Sequence, residues 1–480
     1  MDSRLVKQII DIAGEEYVSV SSGQDQPTTT LPELAVTPTR VEQVSAVLKL
    51  ANEHDIPVLV RGQATGIPGE NVVLSSGILL DMHLMNRVLE IDEDNMTVVV
   101  EAGCSMNRLA YELDKRGFAS PIRPWFAPNP QIGGLLGNNG VGNFSLRFGR
   151  FGDQTNGLEV VIPTGEVVKI GAWGFKDISV AYTRHSGGPG LVGLFTASAG
   201  TLGVITKVAL RIVKKRRNQW YRTFGWSRHK LDDMARFLYE LPGYDVSTYQ
   251  LQNYWCSRGA IKAGLVDWPA KSLGMADDDL IIADLIQVEE TEDLLEAKAR
   301  AITQLSEKHH ATDLGPELCR RFHGPPWYAI LLGQCCRYHP GMLAPDEAGA
   351  DGMDFIELYY VHPVLDLGPF WHSFEDIVTK WGFADEKRGP VMYIWGLEPY
   401  NVVSHPTFGY RPEIPEEVVR FRKCYQDIYD DVRRLRGLPY NIGSYLPASF
   451  FSYQAGAINL MKKVKQGLDP NNILNRGQLR

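Results

Sequence analysis

Residues 132–140 read IGGLLGNNG and place four glycines and two asparagines within nine positions. Because glycine carries no side chain, the backbone of such a segment can lie directly against a flat or charged ligand. A segment of the same composition also serves as a plain packing device. The meaning of this stretch therefore depends on its neighbours in the chain.

Three further glycine-bearing segments lie between residues 61 and 206. The loop 61–66, RGQATG, directly follows the buried strand predicted at 58–60, as a loop must if its backbone N–H groups approach an anionic diphosphate. Residues 157–166 are typical of a strand, a turn and a second strand, and residues 193–206 of a tight turn that enters a strand. No G-x-G-x-x-G in the chain directly follows a predicted strand and opens a helix, which disfavours a Rossmann dinucleotide site.

Residues 36–62 predict a helix followed by a strand. Thr39 and Glu42 have the spacing of a capping box at the start of the helix. The apolar residues of this helix recur on one face: Val41, Val44, Val47, Leu48 and Ala51. This order of elements predicts an α/β arrangement for the N-terminal part.

The pattern changes after the basic run 214–217. Longer helices, predicted at 290–308 and 415–436, then alternate with strand-like runs at 280–288, 355–361 and 391–395. This alternation predicts an antiparallel sheet covered by helices, as a separate α+β domain. The last forty residues return to a compact pattern with a helix at 455–467. The second domain is therefore expected to be an insertion.

Composition excludes several classes of protein. Of the 480 residues, 44% are hydrophobic and 22% charged, which is typical of a folded globular chain. The net charge of −8 argues against a nucleic-acid-binding protein, which needs a basic face. No apolar run is long enough for a membrane span, so a cytoplasmic location is expected. The six cysteines form no CxxC pair, which favours reduced thiols.

Five segments together carry a family resemblance. In chain order they are VRGQATG (60–66), VVVEAG (98–103), IGGLLGNNG (132–140), GLEVVIPTGE (157–166) and SAGTLGVIT (198–206). They resemble the FAD-binding domain of the vanillyl-alcohol oxidase and 4-cresol dehydrogenase superfamily, whose glycolate-oxidase-like flavoenzymes share these segments. The C-terminal LDPNNILNRGQL is similar to the closing motif of the family. The resemblance covers about 180 N-terminal residues and the last forty.

The resemblance implies an α+β fold, in which a two-subdomain FAD-binding domain of the vanillyl-alcohol-oxidase type carries an inserted α+β substrate (cap) domain. We expect residues 1–217 to form the first part of the FAD-binding domain, 218–436 the cap domain, and 437–480 the segment that completes the FAD-binding domain. The residues that the resemblance assigns to FAD are Arg61, Gly62, Gln63, Ala64, Thr65, Gly66, Pro128, Ile132, Gly133, Gly134, Gly137, Asn138, Asn139, Gly142, Glu159, Gly200, Gly203, Val204, Ile205 and Asn475.

Positions that tether the flavin or bind a metal in similar enzymes differ here. The berberine-bridge-like branch has a tethering His in the first glycine loop, where this chain has residues 63–65, QAT, and a Cys in the second, which lacks cysteine here. Glu357 occupies the place of the tethering His of vanillyl-alcohol oxidase. We therefore predict non-covalent FAD. The 2-hydroxyacid branch has a metal-binding Gly-Glu-His-Gly motif where residues 442–446 read IGSYL, so no metal site is expected.

The resemblance implies that a substrate C–H transfers a hydride to the flavin N5, which requires a base and a positive charge near the reduced flavin. His405 is the candidate base, with Tyr440 and Tyr400 as alternatives and His362 as a competitor. Tyr440 matches a substrate-binding tyrosine of the family, although an interdomain packing role stays open for it. Arg476 is the candidate cation.

The sequence leaves three functions open. The first is oxidation of an aromatic or other hydrophobic alcohol or phenol, and the second is a metal-independent 2-hydroxyacid dehydrogenase. The third is a flavin-binding subunit of an electron-transfer complex. Each alternative involves an unidentified electron carrier, such as oxygen or a cytochrome, and a homo-oligomer stays open.

Overall fold

The protein is described by a computed structural model. It covers residues 1–20, 32–63, 76–124, 130–185, 187–262, 264, 266–323, 354–385, 389–440 and 455–477.

The helices follow the expected order along the chain. They are α1 (Ser3–Ala13), α2 (Val41–Glu53), α3 (Met106–Asp114), α4 (Ile132–Gly137), α5 (Ser145–Phe148), α6 (Val192–Phe195), α7 (Leu231–Glu240), α8 (Tyr254–Lys262), α9 (Glu292–Lys308), α10 (Glu317–His323), α11 (Leu367–Lys380), α12 (Pro415–Arg434) and α13 (Ala455–Leu468). None of these described helices combines the length and the apolar composition that crossing a bilayer requires.

The strands fall into an N-terminal group and a central group. The N-terminal strands are β1 (Val18–Val20), β2 (Leu34–Val36), β3 (Val58–Arg61), β4 (Ile78–Asp81), β5 (Val88–Asp92), β6 (Thr97–Glu101), β7 (Phe118–Ala119), β8 (Arg123–Pro124), β9 (Gly142–Asn143), β10 (Thr155–Val161), β11 (Val167–Gly171), β12 (Val204–Arg211) and β13 (Val213–Lys214). The central strands are β14 (Asn218–Ser227), β15 (Thr248–Asn253), β16 (Leu280–Glu289), β17 (Thr312–Asp313), β18 (Asp354–Glu357), β19 (Tyr360–Pro363), β20 (Val391–Glu398), β21 (Asn401–Tyr410) and β22 (Leu438–Pro439).

Two sheets build the N-terminal part. The first has the order β1-β2-β4-β3, in which β2, β4 and β3 run parallel. The second is antiparallel and has the order β11-β10-β12-β6-β5. Strand β6 is buried along its whole length, which explains its continuous β-branched sequence. The two sheets have separate apolar cores, and Val161 and Val204 of the second sheet extend into the core of the first.

A sheet of nine strands dominates the centre of the chain. Its order is β17-β14-β16-β15-β20-β21-β19-β22, and β18 also pairs with β21. Apolar residues of one face, here called the helical face, pack with those of α7, α11 and α12 into the largest core. The opposite face, here called the flavin-side face, contacts the N-terminal part through Val141. The mixed helix and strand composition confirms the predicted α+β fold class.

The C-terminal segment returns to the first sheet. Ile473 and Leu474 are buried in its core, and Leu474 forms a parallel bridge with Val58 of β3. The predicted domain boundaries remain a proposal. The nine-stranded sheet spans nearly the same residues as the predicted cap domain, because its first strand in the sequence, β14, begins at Asn218 and its last, β22, ends at Pro439.

Two local predictions differ from the structure, and one helix was not predicted. The predicted capping box between Thr39 and Glu42 does not form at the start of helix α2. Instead, the side chain of Gln43, within the helix, accepts a hydrogen bond from the Thr39 backbone N–H at 2.8 Å. The run predicted as one strand at 355–361 is split into β18 and β19. The glycine-rich residues 132–137 form α4, which glycine composition alone disfavours.

Candidate functional site

The glycine segments form one side of a cradle. An added Cβ at Gly133 would lie 2.9 Å from the Ala102 side chain, so this glycine lets α4 pack closely on the chain after β6. An added Cβ at Gly134 or Gly137 would meet no described atom within 4 Å, and Gly134 is exposed. Helix α4 therefore packs through Gly133, and the described residues leave space beside the exposed Gly134, as a flat ligand would require.

The first glycine loop begins beside this helix. An added Cβ at Gly62 would lie 2.6 Å from Oε1 of Gln131, the residue that precedes α4. This Oε1 is buried and has no hydrogen-bond partner among the described residues, so it is an acceptor available to a ligand. Arg61 is paired with Asp81 at 3.3 Å. The predicted FAD residues Ala64, Thr65, Gly66 and Pro128 lie outside the described residues.

The flavin-side face of the nine-stranded sheet carries aromatic rings. Tyr359 stacks on His405 with ring centroids 4.1 Å apart, and Trp395 stacks on the same imidazole at 5.8 Å. Tyr393 meets Trp395 edge-on at 4.8 Å. The period of two in a strand explains this row, because alternate residues of β20 and β21 point to one face. We call these four residues, together with Tyr440, the aromatic cluster.

Tyr440 joins the aromatic cluster to the cradle. Its hydroxyl donates a hydrogen bond to the backbone oxygen of Asn139 at 2.7 Å, and its ring centroid lies 6.2 Å from that of Tyr359. The structure thus links Tyr440 to Asn139 by a hydrogen bond and to His405 through the ring of Tyr359. The interdomain packing role that the sequence left open for Tyr440 is also consistent with this contact.

Arg150 is a charged residue at this site that sequence reasoning missed. Its guanidinium carbon lies 5.3 Å from the centre of the Tyr440 ring, and its Nε lies 3.6 Å from an oxygen of Glu398. The residue follows α5 in the N-terminal part. The sequence contains no signal that distinguishes Arg150 from the nearby Arg147, which instead donates to Ser247 and Val288 of the central sheet.

Several residues that the resemblance assigns to FAD have structural contacts in the described chain. Glu159 is buried and accepts a hydrogen bond from Thr206 at 3.0 Å and one from Lys207 at 3.1 Å. The Asn475 amide accepts from the Val60 N–H at 2.8 Å and donates to the Ala199 oxygen at 2.6 Å. Others belong to packed strands, turns or the core: Ile132, Gly142, Gly200, Gly203, Val204 and Ile205. Gln63 is exposed, and Asn138 is the C-cap of α4.

Three catalytic candidates contact residues outside the aromatic cluster. The Arg476 guanidinium donates to Asp55 at 2.5 Å, near the beginning of β3, whereas the glycine loop leaves the end of that strand. Tyr400 is 53% exposed and packs on Tyr239. His362 lies on the helical face and stacks on Phe370 at 4.5 Å. The described contacts do not bring these three residues to the aromatic cluster.

Comparison with known families agrees with this layout. The FAD binding domain family matches residues 32–171, and the C-terminal domain family of FAD linked oxidases matches residues 362–479. These matches support FAD as the cofactor. The space beside Gly134 and the buried Gln131 acceptor fit a bound cofactor, which residues 131–139 and Gly62 would hold.

Curated relatives match part of the chain. A D-lactate dehydrogenase of Anaerostipes hadrus is 35% identical over 184 residues, which are 38% of this chain and 36% of the relative. The glycolate oxidase subunit GlcD of Bacillus subtilis is 30% identical over 185 residues, 38% of each chain. The chain therefore spans well under half of the length of these curated relatives.

Solved structures with low sequence identity share the whole fold. Substrate-bound p-cresol methylhydroxylase is 18% identical with a TM-score of 0.78, and covers 99% of this chain and 96% of its own. The 4-ethylphenol oxidase of Gulosibacter chungangensis is 17% identical with a TM-score of 0.79 and the same coverage. The chain therefore matches two FAD-linked families over separate parts of its length and shares the fold of these two solved structures.

Proposed function

We propose that the chain oxidises an aromatic or otherwise hydrophobic alcohol or phenol with FAD as cofactor. The aromatic cluster carries this proposal, because it faces the segment 132–139 and is joined to it by the hydrogen bond from Tyr440 to Asn139. Small-molecule sites are typically apolar and aromatic, with a few converging polar groups. Here those groups are His405, Tyr440 and Arg150.

His405 is the proposed base. A substrate hydroxyl loses its proton as the adjacent C–H gives up a hydride, and a neutral imidazole accepts such a proton. Tyr359 and Trp395 stack on the ring of His405 and hold its orientation. When bound, FAD supplies the hydride acceptor. We keep the predicted non-covalent attachment of FAD as part of the proposal.

Arg150 is proposed to bind the anionic end of the substrate. Its guanidinium lies beside Tyr440, where it would attract a phenolate or a carboxylate through charge and paired hydrogen bonds. This cation, together with relatives named D-lactate dehydrogenase and glycolate oxidase subunit, favours a second candidate function: a metal-independent 2-hydroxyacid dehydrogenase.

An anaerobic donor screen tests these alternatives. The purified protein is mixed with a benzylic alcohol, a para-substituted phenol, lactate or glycolate, and the visible flavin band is followed. Bleaching by the aromatic donors supports the first function, and bleaching only by the hydroxyacids supports the second. Stable colour with every donor rejects both and favours the flavin-binding subunit. Reoxidation by oxygen or by an artificial acceptor then distinguishes an oxidase from a dehydrogenase.

The Arg150→Met variant sharpens the same experiment. If Arg150 binds the substrate anion, R150M raises KM by about 10-fold or more with little change in kcat, because hydrogen bonds to charged groups contribute about 1.5–3 kcal/mol. The exposed Arg108 gives a matched control, R108M. An unchanged KM in R150M would contradict this role.

A further inference from the structure

We propose that Asp284, Cys319 and His323 form a binding site for a divalent transition metal ion of the zinc class, separate from the flavin. The three side chains lie at the part of the nine-stranded sheet where α10 covers β16. Strands β15 and β20 separate β16 from the strand of His405, a span of roughly 14 Å at the usual strand spacing.

The distances between the ligand atoms suit a shared ion. Nε2 of His323 lies 3.4 Å from Oδ2 of Asp284, and the three ligand atoms all lie within 4.8 Å of one another. Tetrahedral zinc with bonds of about 2.0–2.3 Å needs roughly 3.4–3.8 Å between its ligand atoms. The His–Asp pair already has this spacing, and metal binding requires the cysteine sulfur to move by about 1.4 Å at most.

The local fold explains why these residues meet. Cys319 and His323 are four residues apart in α10, so their side chains share one side of that helix. Asp284 is paired across the sheet with Gln250, and Gln250 with Trp395, so all three belong to the flavin-side face. Strand β16 and helix α10 thus supply the ligands together. The spacing of these residues in the sequence does not indicate that they meet.

A second layer of residues orients these ligands. Thr223 donates to Oδ1 of Asp284 at 2.5 Å, and the Gln252 amide donates to Oδ2 at 2.9 Å. Nδ1 of His323 faces the Gln250 amide at 3.4 Å, which leaves Nε2 turned toward Asp284. Hydrogen-bonded carboxylates are typical of protein metal sites.

The buried charge also favours an ion. The carboxylate of Asp284 and the thiol of Cys319 are both buried away from solvent. A divalent ion deprotonates a coordinating thiol and neutralises both anionic ligands. One sulfur, one nitrogen and one oxygen suit zinc and reject Mg²⁺ and Ca²⁺, which prefer oxygen ligands.

The test uses the full flavin-loaded chain, purified without chelators or a histidine tag. Its zinc content is measured after dialysis, and zinc affinity is measured by competition with a chromophoric chelator. We expect one zinc ion per chain, and a zinc affinity at least about 10-fold lower in Cys319→Ser and His323→Gln. Cys424→Ser is the matched control, because Cys424 is equally buried in a different core. Equal affinity in C319S and C424S would overturn the site.

Cobalt substitution of the unmutated chain keeps the proposal testable if the variants fail to fold. Thiolate ligation gives a sulfur-to-cobalt charge-transfer band in the difference spectrum between cobalt-loaded and zinc-loaded protein, from which the flavin absorption cancels. The band supports the site, and its absence at full cobalt loading contradicts it. Neither readout depends on substrate turnover, so the result is independent of the proposed function.

Discussion

The two faces of the nine-stranded sheet carry the same residue types in different surroundings. On the helical face Tyr360 is packed in the apolar core, whereas its neighbour Tyr359 belongs to the aromatic cluster on the flavin-side face. His362 and His405 likewise lie on opposite faces, His362 on the helical face and His405 on the flavin-side face. Both ring nitrogens of His362 have protein partners, the Ser404 hydroxyl at 2.6 Å and the Pro363 oxygen at 3.0 Å.

Burial alone therefore does not identify a functional side chain. His362 and His405 are both almost fully buried, but one is surrounded by the core that α11 and α12 complete and the other by rings beside the cofactor domain. What differs is the layer that covers each face. Substitutions on the helical face should therefore change stability, and substitutions on the flavin-side face should change turnover.

The largest expected effect is on turnover. Replacing His405 with Asn removes the proposed base, so kcat should fall by about 10²–10⁴-fold. Steady-state kinetics with a donor found in the anaerobic screen measure this loss. His362→Gln on the helical face is the control and should leave kcat nearly unchanged. If both variants lose activity equally, the distinction between the faces is wrong.

The second effect is on stability. Phe408 lies on the helical face in contact with Phe374, Phe383 and Phe421, and is fully buried. We expect Phe408→Ala to lower the free energy of unfolding by about 3–5 kcal/mol, because the substitution leaves a cavity. Urea denaturation followed by circular dichroism measures it. Phe408→Leu should cost less, and an equal loss in both variants would contradict the cavity explanation.

The smallest effect is a pH dependence. Burial lowers the pKa of His362 to about 4, so the folded protein resists a proton that the unfolded chain takes up near pH 6.5. The free energy of unfolding should therefore fall as the pH falls from about 6.5 to 4, by up to about 3 kcal/mol from this group. Denaturation curves of the wild type and His362→Gln across this window should differ in slope. Parallel curves would exclude this contribution.

Much of the fold follows from local sequence. The strand before Arg61, the strand–turn–strand at 157–166 and the long helices of the central part all appear close to their predicted positions. Helix α4 was missed because glycine lowers helix propensity, and close packing of Gly133 on Ala102 outweighs that preference. Arg150 was missed because its partner Tyr440 is distant in sequence.

The α+β class and FAD as the cofactor follow from the resemblance that the glycine segments carry, since glycine permits backbone conformations and close approaches that other residues do not. The tertiary structure alone shows that Tyr440, His405 and Arg150 lie at the candidate site. The physical reason is that alternate residues of a strand point to opposite faces, so the register of β19 and β21 and the layer on each face assign those roles.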